Sequence, residues 1–234
     1  MICRVSIEYI CQGRYTEYVN GIFIKYNLKE ILMKSRSEIK SQAKSNFHAQ
    51  YGISVGAYIL FMVLIGALSW TFVGALLLIP AFIVGYAFFS VRIYKGEPGD
   101  IGGMFNAGFS DYARNLGGVL WMWLFTFLWT LLFVIPGIVK YFSYFMTPYI
   151  LADSKNVSAT QALKLSMRMT KGCKGEIFVM YLSFIGWLLL SMVTCGILQL
   201  VYVGPYMQAS LAGMYVELKK NALAKGVVTE AELA

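Results

Sequence analysis

Three tracts of this 234-residue chain contain no Asp, Glu, Lys or Arg: Gly52 to Val91, Asn115 to Val139, and Ile177 to Val216. A bilayer hydrocarbon core about 30 Å thick is crossed by roughly 20 apolar helical residues. The first and last tracts, at 40 residues each, are therefore long enough for two crossings apiece. A composition of 58% hydrophobic and 14% charged residues also leaves too little polar surface for a water-soluble domain of this size. The net charge of +8 is not gathered on one soluble module and comes with no nucleic-acid recognition motif. Anionic lipid, not nucleic acid, is the expected partner.

Turn signals divide the tracts. Trp70 and its neighbours separate a helix over about Gly52–Trp70 from one over about Phe72–Tyr94, and residues 194–196 separate Ile177–Thr194 from Leu198–Leu218. The middle tract holds one clear span, Leu116–Ile135, after which Pro136-Gly137 either kinks the helix or starts another. Charge placement decides between the two. If Pro136 starts a new helix, the cations before the first span (Lys34, Arg36, Lys40, Lys44) share one side with Arg92, Lys95 and Arg114. The cluster from Lys155 to Lys174 and the final Lys219, Lys220 and Lys225 join them, and the turns near Thr71, Ile135 and Gly196 carry no charge. Cytoplasmic and translocated loops differ in this way. A five-span reading would translocate the Lys155–Lys174 cluster. The expected fold is an all-α membrane protein: six transmembrane helices as three helical hairpins, with cytoplasmic amphipathic helices between them and both termini cytoplasmic.

The chain also reads as three copies of one unit: a polar or amphipathic segment, an apolar span, a tight turn, and a span bearing Pro80, Pro136 or Pro205. Aligning Pro80 with Pro205 matches Gly85 with Ser210, Ala87 with Ala212, and Val91 with Val216. The leading segments are expected to lie flat at the headgroup layer. Ser158 and Gln161 have capping-box spacing. In the helix they would start, Ala162, Leu165, Met169 and Cys173 fall on one side and Lys164, Arg168 and Lys171 on the other. Ile101, Phe105, Phe109 and Tyr112 form a similar stripe, and Lys34 to Gln50 is basic but only weakly amphipathic.

The runs Ile135-Pro136-Gly137-Ile138-Val139-Lys140, Pro148-Tyr149-Ile150-Leu151-Ala152-Asp153, Ala162-Leu163-Lys164-Leu165-Ser166 and Leu182-Ser183-Phe184-Ile185-Gly186-Trp187 together resemble domain-of-unknown-function family 975. That family comprises uncharacterised bacterial integral membrane proteins, and the resemblance spans about Met33 to Lys220. More distantly, the chain is similar to the membrane domain that precedes some glycerophosphodiester phosphodiesterases. The resemblance implies a bacterial cytoplasmic membrane location and a helical fold, and no reaction. It starts at Met33-Lys34-Ser35-Arg36, so residues 1–32 are read as a non-native or disordered N-terminal extension. Residues 33–220 form the polytopic helical domain and 221–234 a polar cytoplasmic tail. Lys29-Glu30 fits a ribosome-binding sequence ahead of a start at Met33.

Lys140 is the charged residue that this topology places inside a span, and Gln208 falls mid-helix; both are candidate lipid or substrate contacts. Lys140 lies about one turn from Pro136, close enough to the surface to snorkel to headgroups. Lys164, Arg168 and Lys171 are the expected headgroup-facing cations, each worth on the order of 1 kcal/mol near an anionic leaflet. Gln199 and Gln208 are expected to bond between helices, and the Gly52–Gly56 and Ala209–Gly213 spacings permit close helix contact. His48 has no second metal ligand near it, and Cys3, Cys11, Cys173 and Cys195 lack paired metal spacing and are read as reduced. Asp111 and Asp153 fall in cytoplasmic segments, and no carboxylate is placed inside a span, which argues against a proton relay. With no nucleophile elbow, zinc motif or phosphate loop, no catalytic residue, cofactor or metal is assigned. The expected role is a non-enzymatic, envelope-associated scaffold or lipid-interacting component, partnered by anionic headgroups and an envelope protein. The alternative is a small transporter with Lys140 and Gln208 facing a central cavity.

Overall fold

The computed structural model describes residues 14–19, 22–27 and 33–233. Strands β1 (Arg14–Val19) and β2 (Ile22–Asn27) pair antiparallel, with Arg14 opposite Asn27 and Val19 opposite Ile22. They fall inside the stretch set aside as an extension. The expected ribosome-binding sequence, Cys3 and Cys11 lie outside the described residues. From Met33 onward the described chain is helical.

Helix α1 (Arg36–Ala49) begins at a capping box in which Ser35 and Glu38 satisfy each other's backbone N–H groups. It carries two stripes at helical spacing. Ile39, Ala43 and Phe47 are fully buried. Gln42, Asn46 and Gln50 bind the end of α4 (Ile79–Lys95) and the loop after it. Asn46 donates to the Tyr94 carbonyl at 2.7 Å and Gln42 to the same oxygen at 3.3 Å. Gln50 donates to the Glu97 carbonyl and accepts from the Gly99 N–H. These amides satisfy backbone groups beyond the helix end, which is why a segment that looks weakly amphipathic packs inside the bundle. Gly96, in the left-handed region at φ 79°, closes α4 by donating to the Ile93 carbonyl.

Helix α2 (Tyr51–Ser69) leads through the Trp70–Thr71 turn to the short α3 (Phe72–Leu77), and α4 follows after Leu78. Tyr86 of α4 stacks on Phe61 of α2 with ring centroids 4.4 Å apart. Helix α5 (Ile101–Phe109) starts at Asp100, whose carboxylate accepts from the Gly103 N–H. It crosses α4 with backbones nearly touching: a Cβ on Gly85 would strike the Met104 carbonyl, and one on Gly108 the Ala81 carbonyl. The buried residues of α5 are Met104 and Gly108, while the expected stripe is half-buried to exposed, with Phe105 and Phe109 edge-on to Phe82.

Helices α6 (Tyr112–Leu132) and α7 (Val134–Tyr144) meet at Phe133, and Pro136 sits in the first turn of α7. The structure thus has a new helix start here instead of one kinked span. Thr130 packs against Gly137 and Leu151 against Gly118, so α7 and the following α8 (Thr147–Asp153) run back along α6. Helix α9 (Ala159–Met169) has the expected Ser158–Gln161 capping box. Helices α10 (Lys174–Leu182) and α11 (Ile185–Val193) are separated at Ser183–Phe184. A π-helical segment, Gln199–Val203, leads into α12 (Gly204–Ala224), and α13 (Glu230–Leu233) ends the described chain. Pro80, Pro148 and Pro205 each occupy the second residue of a helix, α4, α8 and α12, where proline's fixed φ is already helical. Of the two small-residue spacings, Gly213 sits against Tyr94 and Ile39, while Gly52 and Gly56 meet nothing within 4 Å.

Among the described residues, three helical stretches are long and apolar enough to cross a membrane: Tyr51–Ser69, Tyr112–Leu132 and Lys174–Val193. They are the outer members of the bundle; α1, α4, α8, α9 and α12 carry much of the buried core. The amphipathic helices expected flat on a bilayer surface are corrected accordingly. In α9, Ala162, Leu165 and Met169 are buried against the rest of the protein, so its apolar face covers core and not lipid.

Candidate functional site

At three helix interruptions a backbone carbonyl accepts from a side chain of one of the polar or amphipathic segments. At the α3–α4 break, Tyr112 donates its hydroxyl to the Leu77 carbonyl at 2.9 Å. Between α7 and α8, Ser166, fully buried on α9, donates to the Ser143 carbonyl at 2.8 Å and accepts from the Met146 N–H. At the α10–α11 break, Lys40 of α1 donates to the Ser183 hydroxyl at 3.1 Å and reaches its carbonyl at 3.4 Å. The same ammonium lies 4.2 Å from the centre of the Phe184 ring, a cation–π contact. Burial lowers the Lys40 pKa. Broken helices in apolar surroundings need such partners, because an unpaired carbonyl there is costly.

A second cluster gathers titratable groups where α4, α8 and α12 end. Tyr215, buried on α12, donates its hydroxyl to Asp153 at 2.9 Å, and Lys219, one turn further along, also binds that carboxylate. Tyr149 stacks on Tyr215 at 5.2 Å. Burial raises the Asp153 pKa, but the Lys219 ammonium and the Tyr215 hydroxyl outweigh it and hold the carboxyl below its ordinary range. A cavity of about 260 Å³ opens beside them, lined by Lys95, Lys219, Lys220, Val91 and Val216 among others. On another face of α12, Glu217 is 3% exposed and pairs with Lys34 at 3.2 Å. Lys34 also donates to Gln42 at 2.8 Å, and Gln42 accepts from the Tyr94 hydroxyl.

Glu217, at the end of the expected Leu198–Leu218 span, is buried where α1 packs on α12. No local pattern gives Glu217 or Lys40 a site role, because the partners of each lie in a distant segment.

The residues singled out from sequence are not brought together. Lys140 lies on α7, its ammonium 4.8 Å from the Trp129 ring centre and 5.9 Å from that of Tyr144. Gln208 is half-buried on α12, and no contact of Lys140 is shared with it. Gln199 makes the expected inter-helix bond, donating to the Tyr58 hydroxyl at 3.3 Å. Lys164, Arg168 and Lys171 are exposed, but Arg168 is held by Glu232 at 2.7 Å and by the Val227 carbonyl. That bond is the main reason the Glu232 carboxyl lies below its ordinary range. His48 touches Tyr202 at 3.4 Å, and among the described residues no group of three His, Cys, Asp or Glu side chains is arranged to hold a metal. Cys173 and Cys195 are free thiols.

A family model described as protein of unknown function (DUF975) matches residues 76–222. The match starts later than the expected Met33, so α1 and α2 precede it, and it does not show the more distant phosphodiesterase-domain likeness. No curated protein and no solved structure matches the chain.

Proposed function

The chain belongs to the DUF975 family of proteins of unknown function, and we propose that it is a non-enzymatic, multi-pass protein of the bacterial cytoplasmic membrane that works through lipid headgroups and an envelope protein partner. In this reading it makes six crossings as three hairpins, both termini are cytoplasmic, and Lys164 and Lys171 with Arg168 face anionic headgroups. One observation carries it: the segregation of exposed apolar groups from ion pairs. The most exposed large apolar side chains cluster at the three turns, with Trp70 at 92%, Ile135 at 76% and Val193 at 80%. The ion pairs among the described residues join groups on segments assigned to the cytoplasmic side or at the adjoining span ends, where Arg92 and Glu217 lie. Contacts between successive segments support the hairpins, including Phe61–Tyr86, Thr130–Gly137 and Trp187–Tyr202.

Alkaline carbonate washing of membranes tests this directly. The protein should stay in the pellet and need detergent for release; recovery in the aqueous supernatant would contradict the reading. The three interrupted helices favour a second reading, a transporter, since broken helices line many substrate sites. Solute flux in proteoliposomes that fell on Lys40→Met would support that alternative.

A further inference from the structure

We propose that the crevice between the C-terminal ends of α4 and α12 binds the phosphate of an anionic phospholipid. The proposal rests on the membrane reading above and adds a defined site to it. Three lysines, Lys95, Lys219 and Lys220, line the crevice with a single carboxylate, Asp153, which leaves two positive charges in excess. That carboxylate is hydrogen-bonded by Lys219 and Tyr215, and it feels the charge of Lys95 without forming an ion pair with it. Lys95 and Lys220 are exposed and make no hydrogen bond or ion pair among the described residues. Val91, Val216 and Leu223 form the opposite wall.

A phosphate carrying an apolar tail fits this mixture better than a free anion does. The cations take the charged head, and Val91 and Val216 lie one turn before Lys95 and Lys220, towards the apolar stretch of each helix. Basic pockets between membrane helices on the cytoplasmic side recognise lipid head groups by this chemistry. Lysine suits the task as a mobile point charge that does not demand a fixed bidentate geometry.

Native mass spectrometry of the detergent-purified full chain tests the site. The probes are phosphatidylglycerol, phosphatidylcholine with the same acyl chains, and glycerol 3-phosphate. Phosphatidylglycerol should be bound in preference to phosphatidylcholine, and Lys95→Gln with Lys220→Gln should weaken it roughly 30-fold at about one lysine's worth of attraction each. A charge-matched control, Lys44→Gln with Lys225→Gln, should leave binding within about two-fold of the parent, the scatter usual for distant surface charges. Lys95→Arg with Lys220→Arg keeps the charge and should retain binding, which separates loss of the site from loss of fold. Unchanged phosphatidylglycerol binding in the glutamine pair, or equal binding of both lipids, would overturn the proposal while leaving a detergent-requiring protein intact. Glycerol 3-phosphate binding as tightly as the lipid would overturn the assignment to a lipid. A protein that needed no detergent would instead sink the membrane reading itself.

Discussion

Lys34 and Glu217, 183 residues apart, form an ion pair at 3.2 Å in which the carboxylate side chain is 4% exposed and the ammonium side chain 41%. The pair locks the start of α1 to the end of α12, and its asymmetry sets which substitution matters. Lys34→Met leaves a buried carboxylate without its cation and should cost about 2–3 kcal/mol, below the usual range for a fully buried pair because Lys34 is half in solvent. Glu217→Gln leaves an ammonium that can turn to water and should cost less, about 1 kcal/mol. Lys34→Met with Glu217→Leu should recover much of the loss. Unfolding in detergent for the two single variants and the double gives the coupling; equal losses for both single variants would show that the burial asymmetry has no energetic consequence.

The Asp153 cluster predicts a pH dependence. Its carboxyl is held below the ordinary value of 3.8 in the folded protein, so the folded state favours the ionised form. That stabilisation is complete above the unfolded value and is lost as pH falls through the lower folded value. The stability difference between wild type and Asp153→Asn should be constant near neutral pH and shrink below about pH 4. Melting temperatures of both proteins across pH 3–7 check this, and a difference that grew on acidification would have the wrong sign.

Glycine substitutions should divide by contact. Gly85→Ala forces a Cβ against the Met104 backbone carbonyl where α4 crosses α5, and overpacking of this kind costs about 1–3 kcal/mol. Gly56→Ala meets nothing within 4 Å on α2 and should stabilise by up to about 1 kcal/mol through helix propensity alone. Thermal melts of the two variants should move in opposite directions.

Asn115, fully buried, donates to the carbonyls of Ala107 at 3.0 Å and Gly108 at 2.9 Å. It closes the end of α5, while its neighbour Arg114 binds the Leu151 carbonyl in α8 and the Lys155 carbonyl just after it, at 2.8 Å each. Asn115→Leu keeps the volume and removes both donors, so it should cost about 2 kcal/mol from carbonyls left unpaired. Hydrogen exchange should then show loosening confined first to α5; uniform loosening of the bundle would mean that Asn115 is not a local cap.

Local features were legible in the sequence because each is carried by a few neighbouring residues. The Trp70 and Gly196 turns and the Ser158–Gln161 box depend on capping and backbone preference alone, whereas the helix start at Pro136 needs the charge placement around it as well. The destination of an amphipathic face is a long-range matter. Ala162, Leu165 and Met169 make the same pattern whether they meet lipid or protein, and only the burial of Ser166 against the α7–α8 break shows which holds here. Lys34 to Gln50 reads as only weakly amphipathic because the partners of Gln42, Asn46 and Gln50, the Tyr94 and Glu97 carbonyls and the Gly99 N–H, lie in another segment. Lys140, conspicuous as a charge within an apolar run, resolves to contacts with Trp129 and Tyr144, whereas the buried Glu217 and the half-buried Lys40 bind across distant segments.

Substituted-cysteine labelling in whole cells, on a background with the native cysteines replaced, tests the six-span arrangement most directly. A membrane-impermeant maleimide should reach Thr71→Cys, Ile135→Cys and Gly196→Ala/Ile197→Cys from outside, and should reach Lys95→Cys and Lys164→Cys only after the membrane is opened. Labelling of Lys164→Cys in intact cells would place the basic segments on the wrong side and contradict the account.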